Sequence, residues 1–331
     1  MITYLITGGA GFIGSNFVSY MLNYYKDIKL IILDNLTYAG TLKNLEKELK
    51  DDRVIFIQGD ICDKKIVSEI FENYDLNYVV NFAAESHVDN SILYPEIFAK
   101  TNVEGTVNLL GNACKFWANN YENKKFIQIS TDEVYGSLEN EDSDIFTETT
   151  SIKPRSPYSA SKASADFFVK AFHSTYGLPI NITRCSNNYG KNQHVEKLIP
   201  TIISNMLSEK PVPIYGDGLQ IRDWLCVEDH CSAIDLVIHH GINGEVYNVG
   251  GNNEIKNLDM VNLIGEYMVK NEVIQQYYIK HVEDRKGHDR RYAICSKKIQ
   301  EELGWKPKID FEKGIQLTID WYLHHLERIK Q

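Results

Sequence analysis

The feature that most constrains this chain's fold stands at its start: an apolar run at 2–7 ends directly on Gly8-Gly9-Ala10-Gly11-Phe12-Ile13-Gly14. Such a run reads as a buried strand, and apolar residues at helical spacing over 12–24 follow it, so the glycines occupy a strand-to-helix turn. Gly8 and Gly11 allow the tight turn and a close backbone approach to a pyrophosphate, while Gly14 lets the helix pack on the sheet. A phosphate placed there meets the free N–H groups of the helix N-terminus. Asp34, twenty residues beyond Gly14, ends the next apolar run. A carboxylate at that point bonds ribose hydroxyls and repels a 2′-phosphate, so NAD is expected rather than NADP. Asp60-Ile61, after the third run, can contact an adenine or serve only as a turn.

Further apolar runs at 30–33, 54–57, 78–81, 126–130 and 180–184 alternate with helical spacing at 64–71, 101–117 and 158–176. That order predicts an α/β fold with a doubly wound parallel sheet of the Rossmann type. A chain of 331 residues exceeds what one core usually fills. The expected division is an NAD-binding lobe at 1–189, with some later segments returning to it, and a smaller mixed α/β lobe at 190–331. Pro200, Pro211, Pro213 and the Gly216-Asp217-Gly218 turn break up the second lobe. An amphipathic helix from Phe311 to about Leu326 is expected to close it.

Composition narrows the partners. A formal net charge of −10, without a dense Lys/Arg stripe, argues against nucleic acid and against an anionic membrane surface. The first residues lack a basic stretch, and their apolar run is too short for a leader or a membrane span, so a cytoplasmic setting is expected. Six cysteines without a Cys-x-x-Cys pair read as mostly buried thiols, with no disulfide framework and no metal.

Ser156-Pro157-Tyr158-Ser159-Ala160-Ser161-Lys162 sets Tyr158 and Lys162 one turn apart on one helix face, just after a helix-starting proline. An ammonium beside a phenol favours phenolate, which predicts a lowered Tyr158 pKa and a general base for a hydroxyl. Lys162 can also hold the nicotinamide ribose. On an arbitrary amphipathic helix this pair is a packed Tyr and a solvated Lys; the upstream context reverses that reading. Ser130-Thr131-Asp132-Glu133-Val134-Tyr135-Gly136 leaves the carboxyl end of a buried strand, where α/β sheets place their ligands. Removal of water from a substrate needs one acid and one base, and two carboxyls in different environments supply both.

These residues resemble the extended short-chain dehydrogenase/reductase family and, within it, the nucleotide-sugar 4,6-dehydratases. The resemblance runs from Ile2 to Trp321. It includes Ala83-Ala84-Glu85-Ser86-His87-Val88-Asp89, Thr183-Arg184-Cys185-Ser186-Asn187-Asn188-Tyr189-Gly190 and Glu196-Lys197-Leu198-Ile199-Pro200. Tyr215-Gly216-Asp217-Gly218, Arg222-Asp223-Trp224 and Gly287-His288-Asp289-Arg290-Arg291-Tyr292 extend it.

What the resemblance implies is a cycle of oxidation, elimination and reduction on one bound nucleoside-diphosphate glucose, with NAD tightly held and regenerated each turnover. Tyr158 takes the 4-hydroxyl proton, steadied by Thr131; Glu133 removes the C5 proton; Asp132 protonates the departing 6-hydroxyl. Besides the glycines, Phe12, Ile13, Asp34, Tyr158 and Lys162, it assigns cofactor contacts to Asn35, Thr37, Asp60, Ile61, Ala83, Ala84, Ser86, Thr101, Ser130, Cys185 and Asn187. It assigns substrate contacts to Ser86, His87, Asn90, Thr131, Asn187, Glu196, Lys197, Leu198, Pro213, Tyr215, Arg222, Asn257, His288 and Tyr292. A homodimer through the helices near 101–117 and 158–176, and a role in deoxysugar (rhamnose-type) biosynthesis, are implied too.

Two departures stand out. Asn90 replaces the Arg usual in the bacterial enzymes that use thymidine sugars, as in plant enzymes that use UDP-glucose, so both nucleotides stay open. Lys191-Asn192-Gln193-His194-Val195 and Lys286 also differ from the commoner proline-containing forms. The nearest alternative is a nucleotide-sugar 4-epimerase, which shares the Tyr/Lys pair but needs no acid/base pair for C5 and C6. A silent NAD-binding sensor is the alternative from another class, and retention of both Tyr158 and Lys162 argues against it.

Overall fold

Strands form at each apolar run, because near-continuous Val, Ile, Leu and Phe suit a sheet covered on both faces. The computed structural model describes residues 1–139 and 144–329. Its first half runs β1 (Ile2–Thr7), α1 (Phe12–Tyr24), β2 (Ile28–Asp34), β3 (Val54–Gln58), α2 (Lys64–Asn73), β4 (Tyr78–Asn81), α3 (Val88–Leu93), α4 (Pro95–Phe98), α5 (Thr106–Trp117), β5 (Lys125–Thr131), α6 (Pro157–Tyr176) and β6 (Ile180–Cys185). Its second half runs β7 (Asn187–Tyr189), α7 (Leu198–Leu207), β8 (Val212–Tyr215), β9 (Ile221–Cys226), α8 (Val227–His240), β10 (Val246–Val249), β11 (Glu254–Lys256), α9 (Asn257–Lys270), β12 (Ile279–Val282), α10 (Lys297–Leu303) and α11 (Phe311–His324).

The main sheet has seven strands in the order β10-β6-β5-β4-β1-β2-β3, all paired in parallel. Strands leave β1 in opposite directions, toward β3 on one side and toward β6 on the other. The carboxyl ends of β1 and β4 therefore flank a switch point, the crevice in which open α/β sheets bind ligands.

Two segments beyond residue 189 pack within this first layer. β10 forms its outer strand, with Val246 opposite Ile182. Val227, Cys231, Ile234 and Ile238 of α8 share a buried cluster with Phe17, Val18 and Met21 of α1. A separate core gathers Tyr189, Ile199, Trp224, Met260, Ile264, Ile315 and Tyr322 around α7, α9 and α11.

The helix expected over 101–117 starts differently: Ala99–Gly105 is π-helical and leads into α5. Wide turns of this kind are frequent at functional sites. Here Asn102, 1% exposed, uses the turn to bond Glu85 N, Glu85 O and Ser161 Oγ, joining β4's exit to α6. The closing helix stops at His324, and a 3₁₀ turn follows at Leu326–Arg328. Half of the six free cysteines are buried, fewer than expected: Cys62, Cys114 and Cys295 are partly exposed. Among the described residues no helix is long and apolar enough to cross a membrane.

Candidate active site

The glycine turn is a cradle with no room for side chains. Gly8 has φ +67°, and a Cβ there would lie 2.6 Å from Ala83 N; one on Gly14 would overlap the Gly8 carbonyl. No side chain caps α1, and no acid stands in its first turn, which leaves its N–H groups to an anion. Asp34 closes the far end, with Oδ2 accepting from Ala10 N and Oδ1 from Leu36 N, both at 2.8 Å. Burial raises its pKa against those two bonds.

From this turn two chambers open, joined through Gly8, Gly11, Phe82 and Ala84. Asp34, Asn35, Thr37, Asp60, Ile61, Ala83 and Thr101 line the outer one. Asp60 is both turn and wall: Oδ1 accepts from Cys62 N and Oδ2 from Asn35 Nδ2. Phe12, Ile13, Gly14, Ser86, Ser130, Tyr158, Lys162, Cys185 and Asn187 line the inner one. A pair of chambers meeting at a helix N-terminus fits a dinucleotide whose pyrophosphate spans the neck.

The reacting groups meet on the inner chamber's floor. α6 begins on a full capping box, in which Ser156 and Ser159 bond each other's backbone and Pro157 takes the first turn. That start carries Tyr158 and Lys162 beneath the end of β5. There Thr131 caps a 3₁₀ turn, its Oγ1 accepting from Glu133 N. Behind this turn, buried Asp166 accepts from Ser130 Oγ and Arg184 Nε, and Arg184 Nη1 bonds the Tyr135 hydroxyl.

The two carboxyls differ. Asp132 is 1% exposed, and its Oδ2 has no hydrogen-bond partner. Burial, then the charges of Glu133 and Asp223, push its pKa well above the usual carboxylate range. Burial also raises Glu133; the Arg222 guanidinium opposes the shift at both carboxyls, and at Glu133 Lys197 and Arg285 add to it.

One electrostatic expectation is corrected. The Tyr158 phenol is pushed up, not down, by burial and then by Glu133, with the Thr131 hydroxyl opposing. The reason is where the amine goes: Lys162 Nζ donates to the Ile129 carbonyl at 2.6 Å, and burial lowers its own pKa.

A third cavity adjoins through Ser86, Glu133, Asn187 and Lys197. His87, Glu196, Leu198, Pro213, Tyr215, Asn257 and His288 line it. Arg222 lies flat over the Tyr292 ring, 4.3 Å from its centroid, and donates to the Ile221 and Asp289 carbonyls. Together the cavities form a groove from the glycine turn, past the two carboxyls, to a far end walled by Arg222, Tyr215 and His288.

A family model described as GDP-mannose 4,6 dehydratase matches residues 5–318. The dTDP-glucose 4,6-dehydratase of Salmonella typhimurium is 50% identical over 96% of this chain and 92% of its own. The chain belongs to the nucleotide-sugar 4,6-dehydratase family. A crystal structure of dTDP-glucose 4,6-dehydratase from Bacillus anthracis in complex with NAD is 46% identical, with TM-score 0.88, covering 99% of this chain and 98% of that one. The Streptomyces venezuelae dTDP-glucose 4,6-dehydratase with NAD and TYD bound is 41% identical, with TM-score 0.90 and 98% of each chain covered.

Among the expected contacts, Asn90 stands apart from the rest: it lines none of the three cavities. As the third residue of α3, its N–H receives the His87 Nδ1 cap, and its carbonyl accepts from Tyr94 N. Arg285 and Asp289 were missed as wall residues of the third cavity. Arg285 pairs with Asp89, and Asp289 accepts from the Tyr292 hydroxyl. Asp289 sits inside the quoted Gly287–Tyr292 motif and was findable. Arg285 lies in Glu283-Asp284-Arg285-Lys286, a charged run that reads as a solvated face.

Proposed function

We propose that this dehydratase acts on dTDP-glucose, forming the 4-keto-6-deoxy nucleotide sugar and water, with NAD as its resident cofactor. The observation that carries the reading is the contrast between Asp132 and Glu133 at the end of β5: Asp132 is buried and raised well above the usual range beside two other carboxyls, whereas Glu133 is partly exposed and relieved by Arg222, Lys197 and Arg285. NAD, when bound, accepts hydride from C4 and returns it to C6. The chain's own residues handle protons. As phenolate, Tyr158 takes the 4-hydroxyl proton, and the Thr131 hydroxyl, which opposes the phenol's upward shift, holds the same oxygen. Glu133, kept more acidic by Arg222, Lys197 and Arg285, is the base that takes the C5 proton and gives it back to C5 when hydride reaches C6. Asp132, whose pKa burial and the neighbouring Glu133 push well above the usual carboxylate range, is the acid that lets the 6-hydroxyl leave as water.

The thymidine nucleotide is supported by the relatives, which are dTDP-glucose 4,6-dehydratases, and Asn90, on which the uridine alternative rested, lies outside the three cavities. A 4-epimerase shares the fold: the UDP-glucose 4-epimerase of Thermotoga maritima is 31% identical, with TM-score 0.87, over 98% of this chain and all of that one. An epimerase has no use for an acid at Asp132. We also assign a cytoplasmic setting, a place in deoxysugar biosynthesis, and a homodimer built on α5 and α6. Phe167, Phe168 and Tyr176 of α6 are 56%, 43% and 54% exposed, an apolar surface suited to a second copy.

Glu133→Gln tests the assignment. Mixed with dTDP-glucose, the variant should accumulate reduced cofactor, read at its characteristic absorbance, while forming at least about a hundredfold less keto-deoxy sugar. Normal product formation would reassign the C5 base. A wild-type protein that turns over UDP-glucose alone would overturn the nucleotide.

A further inference from the structure

We propose that Arg328 is a positioning residue for the cofactor turn, acting through Asn44 to brace the Ala10 peptide from the opposite lobe. The proposal rests on the NAD reading above.

The Ala10 peptide lies at the centre of the glycine turn and is gripped on both sides. Its N–H donates to Asp34 Oδ2. Its carbonyl accepts from Asn44 Nδ2 at 2.9 Å and from Thr41 N at 3.1 Å. Asn44 is 9% exposed, and its backbone N–H closes the local turn on Thr41 O. Nothing local fixes the orientation of its amide: the remaining oxygen, Oδ1, accepts from Arg328 Nη1 at 2.8 Å, 284 residues away in sequence. Arg328 Nη2 donates to the Lys43 carbonyl at 2.6 Å. One guanidinium thus holds two successive residues of the loop that holds the turn.

Arg328 is itself rigidly based in the second lobe. Ile329 beside it is 2% exposed in that lobe's core, and its carbonyl accepts from Ser204 Oγ on α7. Tyr322 OH, near the end of α11, donates to the Gln193 carbonyl. A fork of N–H groups on an immobile base fixes both position and orientation of its acceptors. When Arg328 is lost, the Asn44 amide is free to rotate, and the Ala10 carbonyl loses one of its two donors. The turn that must approach a pyrophosphate then fluctuates. The carboxyls that carry out the chemistry stand on β5, remote from this contact, so binding should suffer and chemistry should not.

The experiment compares wild type, Arg328→Met, Asn44→Ala and the double variant after the cofactor has been stripped and NAD titrated back. Arg328→Met should weaken NAD binding about five- to twentyfold, the loss expected for a pair of charge-assisted bonds acting at one remove. At saturating NAD, kcat should stay within about twofold. The double variant should bind NAD no worse than the weaker single variant, because one relay cannot be cut twice. Should Arg328→Met fail to fold, Arg328→Lys keeps the charge but not the fork, and a loss of at least about threefold is expected there. Unchanged NAD affinity in the folded variant overturns the proposal, and so do fully additive effects. A wild-type protein that binds no NAD would instead sink the cofactor reading, a separate result.

Discussion

Asp132 carries a cost that its chemistry requires. Its carboxyl titrates above the usual range on folding, so the unfolded chain releases that proton at lower pH than the folded one. Stability contributed by this residue therefore declines as pH rises from the ordinary carboxylate range toward the raised value. Asp132→Asn should remove the decline. The variant should match wild type near pH 4 and exceed it by about 1–3 kcal/mol at pH 7, while losing most turnover; denaturant melts at both pH values check it. Residue identities at this site were readable because strand-end acids and a Tyr/Lys pair at i, i+4 are rare together. What could not be read is direction: no spacing reveals that Lys162 turns to the Ile129 carbonyl and leaves the phenol to its carboxylate neighbours.

At the scale of elements, α6 depends on its first turn. Ser156→Ala breaks the capping box two residues before Tyr158, and a loss of about 1 kcal/mol in stability is expected, with a smaller fall in kcat. Thermal melts beside initial rates measure both; an unchanged melt would mean that Pro157 alone starts the helix. The six strands of the first half were legible, since each is a run of apolar residues longer than a turn can hold. β10 was not. Its four residues include Asn248, fully buried yet bonded to the Tyr135 hydroxyl and the Phe146 carbonyl, so a polar tie breaks the apolar pattern at the place where the strand joins the sheet. The π-helical start before α5 was likewise hidden, because Asn102 is held by bonds to Glu85 and Ser161 rather than by periodicity.

At the scale of the whole molecule, the lobes are interleaved. α8 and β10 complete the first lobe after the chain has already entered the second. A fragment ending at residue 189 would leave the β6 edge unpaired and the α1 face uncovered. We expect it to aggregate and to bind no NAD, as light scattering and titration would report. A monomeric fragment with native NAD affinity would mean that β10 is dispensable.

Synthesis gives the contact between Arg328 and Asn44 another meaning. Residue 44 leaves the ribosome 284 residues before its partner, an interval of roughly 15–60 s at about 5–20 residues per second. During that interval the nascent sheet has an open edge and its phosphate-binding turn lacks a brace. Chaperone occupancy should therefore persist on the growing chain long after the first six strands have emerged, ending only when the turn that carries Arg328 docks.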